Sequence, residues 1–317
     1  MKYLSLLVLV CTFAACKSTG PATSNLKGGK VLLRLTDPGD EPLNYVMKTE
    51  QEISSMAMGM VNKQKVLQEM AYRYAVSNSK TAGDLEVQFT LDGVKVEQSG
   101  FENVSYDSKT DDDPSSTLGK MYVPVLGHSM NMTLSPTGAV KELSGGNAMI
   151  DKMFSAEGLG LSPDQIGQLK ATMKMQFGND ALKQTMAQTS DIFPEDPVKV
   201  GDTWTKSMAQ SSGMGLVAQS TFTLDKIEAG KVYISFEGTL ATSENSEPMD
   251  MVAMKVSYDL EGTQKGNIIV DESNGWVIQS VVNQDFGGDM VIEMDQLPAP
   301  MDATMDALST ITFERQK

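Results

Sequence analysis

Chemistry needs donor groups gathered in one place, and this chain is poor in the usual ones. It has a single histidine, His128, in Gly127-His128-Ser129. A hydrolytic triad needs a nucleophile and a carboxylate held around that imidazole. A solvated or packed histidine at a strand start is the simpler reading. Both cysteines, Cys11 and Cys16, fall within the first 16 residues, which leaves the rest of the chain without a thiol for zinc or a disulfide. Asp107-Ser108-Lys109-Thr110-Asp111-Asp112 brushes against a calcium loop. Lys109 occupies a ligand position there, and the turn glycine and terminal glutamate are both missing. No glycine-rich phosphate cradle occurs. With 41 acidic residues, spacing cannot single out a glycosidase pair. The expectation is a protein that is not an enzyme and has neither metal nor cofactor.

Methionine is the compositional oddity, with 23 residues against only 6% aromatics. Met56, Met58 and Met60 alternate, as do Met130 and Met132. A flexible, polarizable thioether suits surfaces that adapt to varied apolar partners. Plain core filling, or a compositional bias, explains the same abundance.

The N-terminus carries an address. Lys2 and the apolar run Tyr3 to Phe13 have the charge and length of a signal peptide, too short to span as a helix. The run ends in Phe13-Ala14-Ala15-Cys16, which resembles the lipobox of bacterial lipoproteins. That resemblance implies cleavage after residue 15 and acyl chains of the palmitate kind on Cys16. Such chains anchor a protein to a membrane without making it span one. Phe13 stands where leucine is commoner, but it also spoils ordinary cleavage, which wants small residues at both flanking positions. Residues 16–29 are small and polar and read as a flexible tether. In similar lipoproteins a short acidic signal directs surface export; Lys17-Ser18-Thr19 shows none, which favours the periplasmic side. The formal net charge of -15 argues against nucleic acid and against anionic headgroups, because the long-range field repels both.

The body of the chain reads as strands around one helical stretch. Leu43, Tyr45 and Met47 alternate with polar or smaller residues, and so do Met70, Tyr72, Tyr74 and Val76. Leu85, Val87, Phe89 and Leu91 keep strict period two, which means a sheet with one dry face and hence antiparallel pairing. Asp92-Gly93 predicts a hairpin turn into Val94-Lys95-Val96. Met130, Met132 and Leu134 predict another strand. From Gly145 the period changes. Asn147 to Phe154 fits a short helix, and Ser162-Pro163-Asp164-Gln165 offers an N-cap, a first-turn proline and a capping box. Ile166, Leu169, Met173 and Phe177 then share a face until Gly178, and another helix starts at Asn179.

Beyond the helices, Phe193-Pro194-Glu195-Asp196-Pro197-Val198-Lys199-Val200-Gly201-Asp202-Thr203-Trp204 forbids helix and crosses to a second strand series. Pro197, Gly201 and Trp204 mark this structural hinge, with Trp204 expected to be buried where two halves of the protein meet. Val232, Ile234 and Phe236 alternate after it, then Val252 to Leu260, Met290 to Met294, and Ile311 with Phe313. Gly83 to Phe89 matches Gly230 to Phe236 in pattern, and Pro136 to Val140 matches Ser273 to Val277. The two offsets differ by about the length of the acidic loop Asp107 to Ser116, as an insertion in the first half would give. Chance similarity of two antiparallel sheets explains the pattern equally well.

The lipobox, the two-half strand pattern and Pro197-Val198-Lys199-Val200-Gly201-Asp202-Thr203-Trp204 together resemble an uncharacterised family of Bacteroidota lipoproteins. That family has no assigned activity. More distantly, a curved sheet with helices beneath it is similar to the lipoprotein-carrier half-barrels, which shelter acyl chains. The expected fold is mainly β, with curved antiparallel sheet in two similar halves and a short helical insert. The expected divisions are a signal peptide at 1–15, a lipidated tether at 16–29, a first β half at 30–144, the insert at 145–192 and a second β half at 193–317. The expected function is that of a lipid-anchored, periplasm-facing binding or carrier lipoprotein of the cell envelope, at the outer membrane. Its ligand would be a lipid or other apolar molecule in an apolar cavity faced by Ile166, Leu169 and Met173. The alternative is a structural or assembly lipoprotein that binds an envelope protein.

Overall fold

The computed structural model describes residues 23–26, 28–100, 103–110, 117–154, 162–209, 215–244, 246, 248–251, 254–294 and 299–317. Strands β1 (Thr23–Leu26) and β2 (Lys30–Leu33) pair with one another. They are followed by β3 (Leu43–Ala57), β4 (Met60–Asn78), β5 (Leu85–Ser99) and the short β6 (Val104–Asp107). Helix α1 (Thr117–Tyr122) leads to β7 (Ser129–Leu134) and β8 (Val140–Ser144). Three helices come next: α2 (Gly146–Met153), α3 (Pro163–Phe177) and α4 (Asn179–Ser190). The remaining strands are β9 (Thr203–Ala209), β10 (Leu216–Glu228), β11 (Lys231–Thr242), β12 (Met249–Met251), β13 (Met254–Asp271), β14 (Val277–Met294) and β15 (Met301–Arg315).

Thirteen strands form one large, curved, unclosed antiparallel sheet. Its lateral order is β8-β7-β5-β4-β3-β15-β14-β13-β11-β10-β9, with β6 added on β5 and β12 on β13. The C-terminal strand β15 pairs with β14 on one side and β3 on the other, so it joins the early and late strand series. Edge strands carry unpaired backbone groups that must be managed. Here α4 touches both edges, β8 and β9. The Lys183 ammonium donates to the Lys141 carbonyl at 2.7 Å, and Lys206 meets the Asp191 carboxylate at 2.7 Å.

The main core is a single cluster of buried residues, in which Val87 and Phe89 of β5 and Phe222, Leu224 and Ile234 of β10 and β11 are joined by Val31, Leu33, Ile192 and Phe193. The crossing segment is tied to the N-terminal strands by a bridge between Val31 and Val198. The Arg34 guanidinium holds it as well, donating to the carbonyls of Leu33, Pro194 and Glu195. Burial pushes the phenols of Tyr45 and Tyr74 up. Tyr45 nevertheless finds a partner, donating to the Val277 carbonyl at 2.9 Å.

Local sequence explains much of this. On β10, Leu216, Ala218, Ser220, Phe222 and Leu224 are buried at alternate positions, as the pleat requires. The capping box on α3 is complete: Ser162 Oγ accepts from the Gln165 amide, and Gln165 Oε1 accepts from the Ser162 amide. Gly178 closes α3, and α4 begins at Asn179. Gly201 takes a φ of 90° in a turn closed by the Asp202 amide on the Lys199 carbonyl, a conformation that favours glycine. The two sequence matches fall at corresponding places, opening β5 and β11 and turning β7 into β8 and β13 into β14.

Two expectations are corrected. Asp92-Gly93 is no hairpin turn, because β5 runs unbroken from Leu85 to Ser99. The register steps from Ala71 opposite Gly93 to Tyr72 opposite Leu91, so Asp92 is the extra residue of a bulge. Neither residue takes the positive φ a tight hairpin needs. Arg73 also holds the Asp92 carboxylate with two bonds at 2.9 and 3.0 Å. Trp204 is only half-buried: it stands on edge strand β9, packed against the main core cluster and stacked on Phe222 at 5.8 Å. Cys16, Asp111 to Ser116 and Val252 lie outside the described residues.

A candidate binding groove across the sheet

A groove of about 1610 Å³ crosses the middle of the sheet, lined by residues from β6 at one side to β9 at the other. In the strands behind it the ladders place six residues side by side, on the face opposite its charged side chains. Ser220, Gly238, Gln264, Gln284, Ser309 and Gln51 stand on the consecutive strands β10, β11, β13, β14, β15 and β3. Gln264 is buried and donates through Nε2 to Ser220 Oγ at 2.7 Å, while Gln284 Nε2 donates to Gln264 Oε1 at 3.0 Å. Gly238 lies between Ser220 and Gln264. A Cβ there would come within 2.9 Å of Ser220 Oγ, so the missing side chain lets the amide reach across β11.

Ser309 departs from this satisfaction. It is 3% exposed, and its hydroxyl has no hydrogen-bond partner among the described residues. A buried polar group left unpaired costs about 1–3 kcal/mol. Charge in the lining is unbalanced towards acid, with Glu50, Glu52, Glu97, Glu237 and Asp285 against Lys65 and Lys265. Lys65 hydrogen-bonds Glu52 and holds its carboxyl below the usual carboxylate range. On its own face the groove thus offers carboxylates, the hydroxyls of Thr221, Thr263 and Thr310 and the Asn283 carboxamide to a neutral or cationic polar group.

Next to it lies an apolar cavity of about 100 Å³, lined by Phe222, Phe236, Ile268, Ile311 and Phe313 among others. Gln264 and Gln284 border both spaces. Their side chains lie on the cavity's face and the groove's charged side chains on the other, so the sheet itself separates the polar groove from the apolar cavity. A second apolar cavity, of about 40 Å³, lies among Tyr45, Tyr74 and Trp276. A cavity of roughly 150 Å³ accepts benzene. The neighbouring cavity therefore has room for a short apolar group but not for a complete acyl chain.

The residues singled out in the sequence fall elsewhere. Ile166, Leu169 and Met173 do share a face, which packs on Ile150, Met153 and Phe154 of the α2 region and on Leu91 and Val94 of β5. None of the three lines the groove or either cavity. Pro197 and Gly201 lie in the crossing segment, and Trp204 Nε1 donates to the Ile192 carbonyl at 2.8 Å. His128 Nε2 donates to the Gly145 carbonyl at 3.0 Å, at the start of α2, with no nucleophile given to it. Among the described residues, no three His, Cys, Asp or Glu side chains gather as metal ligands. What the sequence reading missed was Ser220, Gln264, Gln284 and Ser309. Their signal was present: each is a polar residue at an in-step position of an otherwise apolar alternation.

No curated protein matches the chain in sequence. Solved structures show weak likenesses in shape. A lipovitellin structure concerned with lipid–protein interactions gives a TM-score of 0.46 at 8% identity, over 89% of this chain and 26% of that one. The chain thus spans about a quarter of the lipovitellin chain. A DUF1329 family protein from Desulfovibrio piger gives 0.14 at 8% identity, over 85% of this chain and 83% of its own. Pseudomonas aeruginosa OccK5 (OpdH) gives 0.20 at 7%, over 87% and 99%. Residues 82–277, which include the crossing segment and most of the groove strands, match one family model, and the chain belongs to that family of unknown function, DUF6263.

Proposed function

We propose that this chain is a non-catalytic binding or carrier protein for an amphipathic ligand, held to the cell envelope through acyl chains on Cys16 and facing the periplasm. One observation carries the proposal: the groove of about 1610 Å³ combines an acidic, hydroxyl-bearing lining with the apolar Leu67 and the exposed Leu308. An amphiphile matches that lining. Its neutral or cationic polar part would meet the carboxylates, and a short apolar part Leu67 and Leu308.

Native mass spectrometry of the protein purified without detergent, with Cys16→Ser to keep it soluble, tests the reading. A co-purifying amphiphile is expected, and Leu308→Glu, in the groove, should reduce its occupancy. Ser309→Ala, on the buried face, should leave occupancy unchanged and raise stability by about 1 kcal/mol, because it removes an unsatisfied buried hydroxyl. An empty protein that instead carries a stoichiometric envelope partner would overturn the proposal in favour of a structural lipoprotein.

A further inference from the structure

The β3–β4 hairpin ends in Met56-Ala57-Met58-Gly59-Met60-Val61. Met58 and Gly59 form a two-residue turn with φ of 50° and 75°, and the ladder closes with Ala57 opposite Met60 and Met56 opposite Val61. Such turns favour asparagine, aspartate or glycine at the first position, because a larger side chain is strained at positive φ. Methionine occupies it here. The three methionines are also far from buried: Met56 is 46% exposed, Met58 67% and Met60 69%. Val61 beside them is exposed too. These side chains therefore gain little from burial, and one sits where the backbone disfavours it.

What the three share is sulfur. An apolar contact would be served as well by leucine, isoleucine or phenylalanine, none of which occurs from Ser54 to Val66. The segment Ile53 to Gln68 holds no aspartate, glutamate, histidine or cysteine, so its side-chain metal donors are thioethers with neutral amides and hydroxyls. Thioethers are soft, uncharged ligands that select Cu(I) and leave calcium, magnesium and zinc to harder or charged donors. Strand alternation puts Met56 and Met60 on opposite faces of the hairpin, with Met58 at its end between them. Three rotatable bonds let each thioether swing beyond the turn. The net charge of -15 enriches cations around the molecule.

We infer that Met56, Met58 and Met60 form a three-sulfur binding site for a soft monovalent cation, Cu(I). The site is independent of the groove and of whatever occupies it. Anaerobic titration of the full chain carrying Cys16→Ser with Cu(I), against a chromogenic Cu(I) chelator, tests it. One Cu(I) per chain should be withdrawn from the chelator, with sulfur scatterers in X-ray absorption. Changing all three methionines to leucine keeps their size and should weaken binding at least tenfold. Met58→Asn is the folding control, since asparagine suits the turn: it should melt no lower than the parent yet bind Cu(I) more weakly. No withdrawal of Cu(I) by the parent chain would overturn the site. So would equal binding by the leucine variant, which would assign the metal to other methionines.

Discussion

Removing the indole of Trp204 tests how the crossing segment secures the edge of the sheet. The side chain stacks on Phe222 with rings 5.8 Å apart and 10° from parallel, and its Nε1–H donates to the Ile192 carbonyl at 2.8 Å. A fully buried tryptophan covers roughly 150–250 Å². Half of that, about 100 Å² at about 25 cal/mol per Å², contributes about 2.5 kcal/mol. Ring stacking adds about 0.5–1.5 kcal/mol and the hydrogen bond about 1 kcal/mol. Water can reach an edge strand and replace part of this, so Trp204→Ala should cost about 3 kcal/mol. Trp204→Phe, which keeps the stack and loses only the bond to Ile192, should cost about 1 kcal/mol. Urea unfolding followed by far-UV circular dichroism measures both, and the buried Trp276 remains as a fluorescent reporter in each variant. A loss below about 1 kcal/mol for the alanine variant would show that β9 is held without Trp204, and would refute the reasoning.

Met173 packs with Ile166 and Leu169 on the cluster around Ile150, so Met173→Lys should lower stability by about 1–3 kcal/mol without changing ligand occupancy in the groove. Loss of the ligand with unchanged stability would return these residues to the binding site. Acid should weaken the β13–β15 connection through Asp271. Burial alone would raise its pKa, but hydrogen bonds from Ser273 and the Arg315 guanidinium outweigh that and hold it below the usual carboxylate range. A depressed folded-state pKa means stability that is complete above the unfolded value of about 3.9 and is lost as pH falls through the folded value. The melting temperature should therefore fall less between about pH 5 and pH 3 in Asp271→Asn than in the parent, and parallel curves would show that the pair contributes nothing.

Some of this protein was legible in one dimension. Ser162, Pro163 and Gln165 start α3 and Gly178 ends it because capping is settled within a few residues of backbone. Period-two alternation marked most strands for the same reason, since the pleat is a local property. It also made the antiparallel class readable. Bulge and turn share a local signature, however, and Asp92-Gly93 was decided by Arg73 and the continuing ladder on β4. The polar row across the sheet needed more still. Ser220, Gln264, Gln284, Ser309 and Gln51 come from distant parts of the chain and stand together only because β15 returns to pair with β3. Alternation says which face a residue occupies but not which strand lies beside it. That choice belongs to the whole sheet, whose pairing order minimises exposed edges and buried polar groups together, and no stretch of sequence contains it alone.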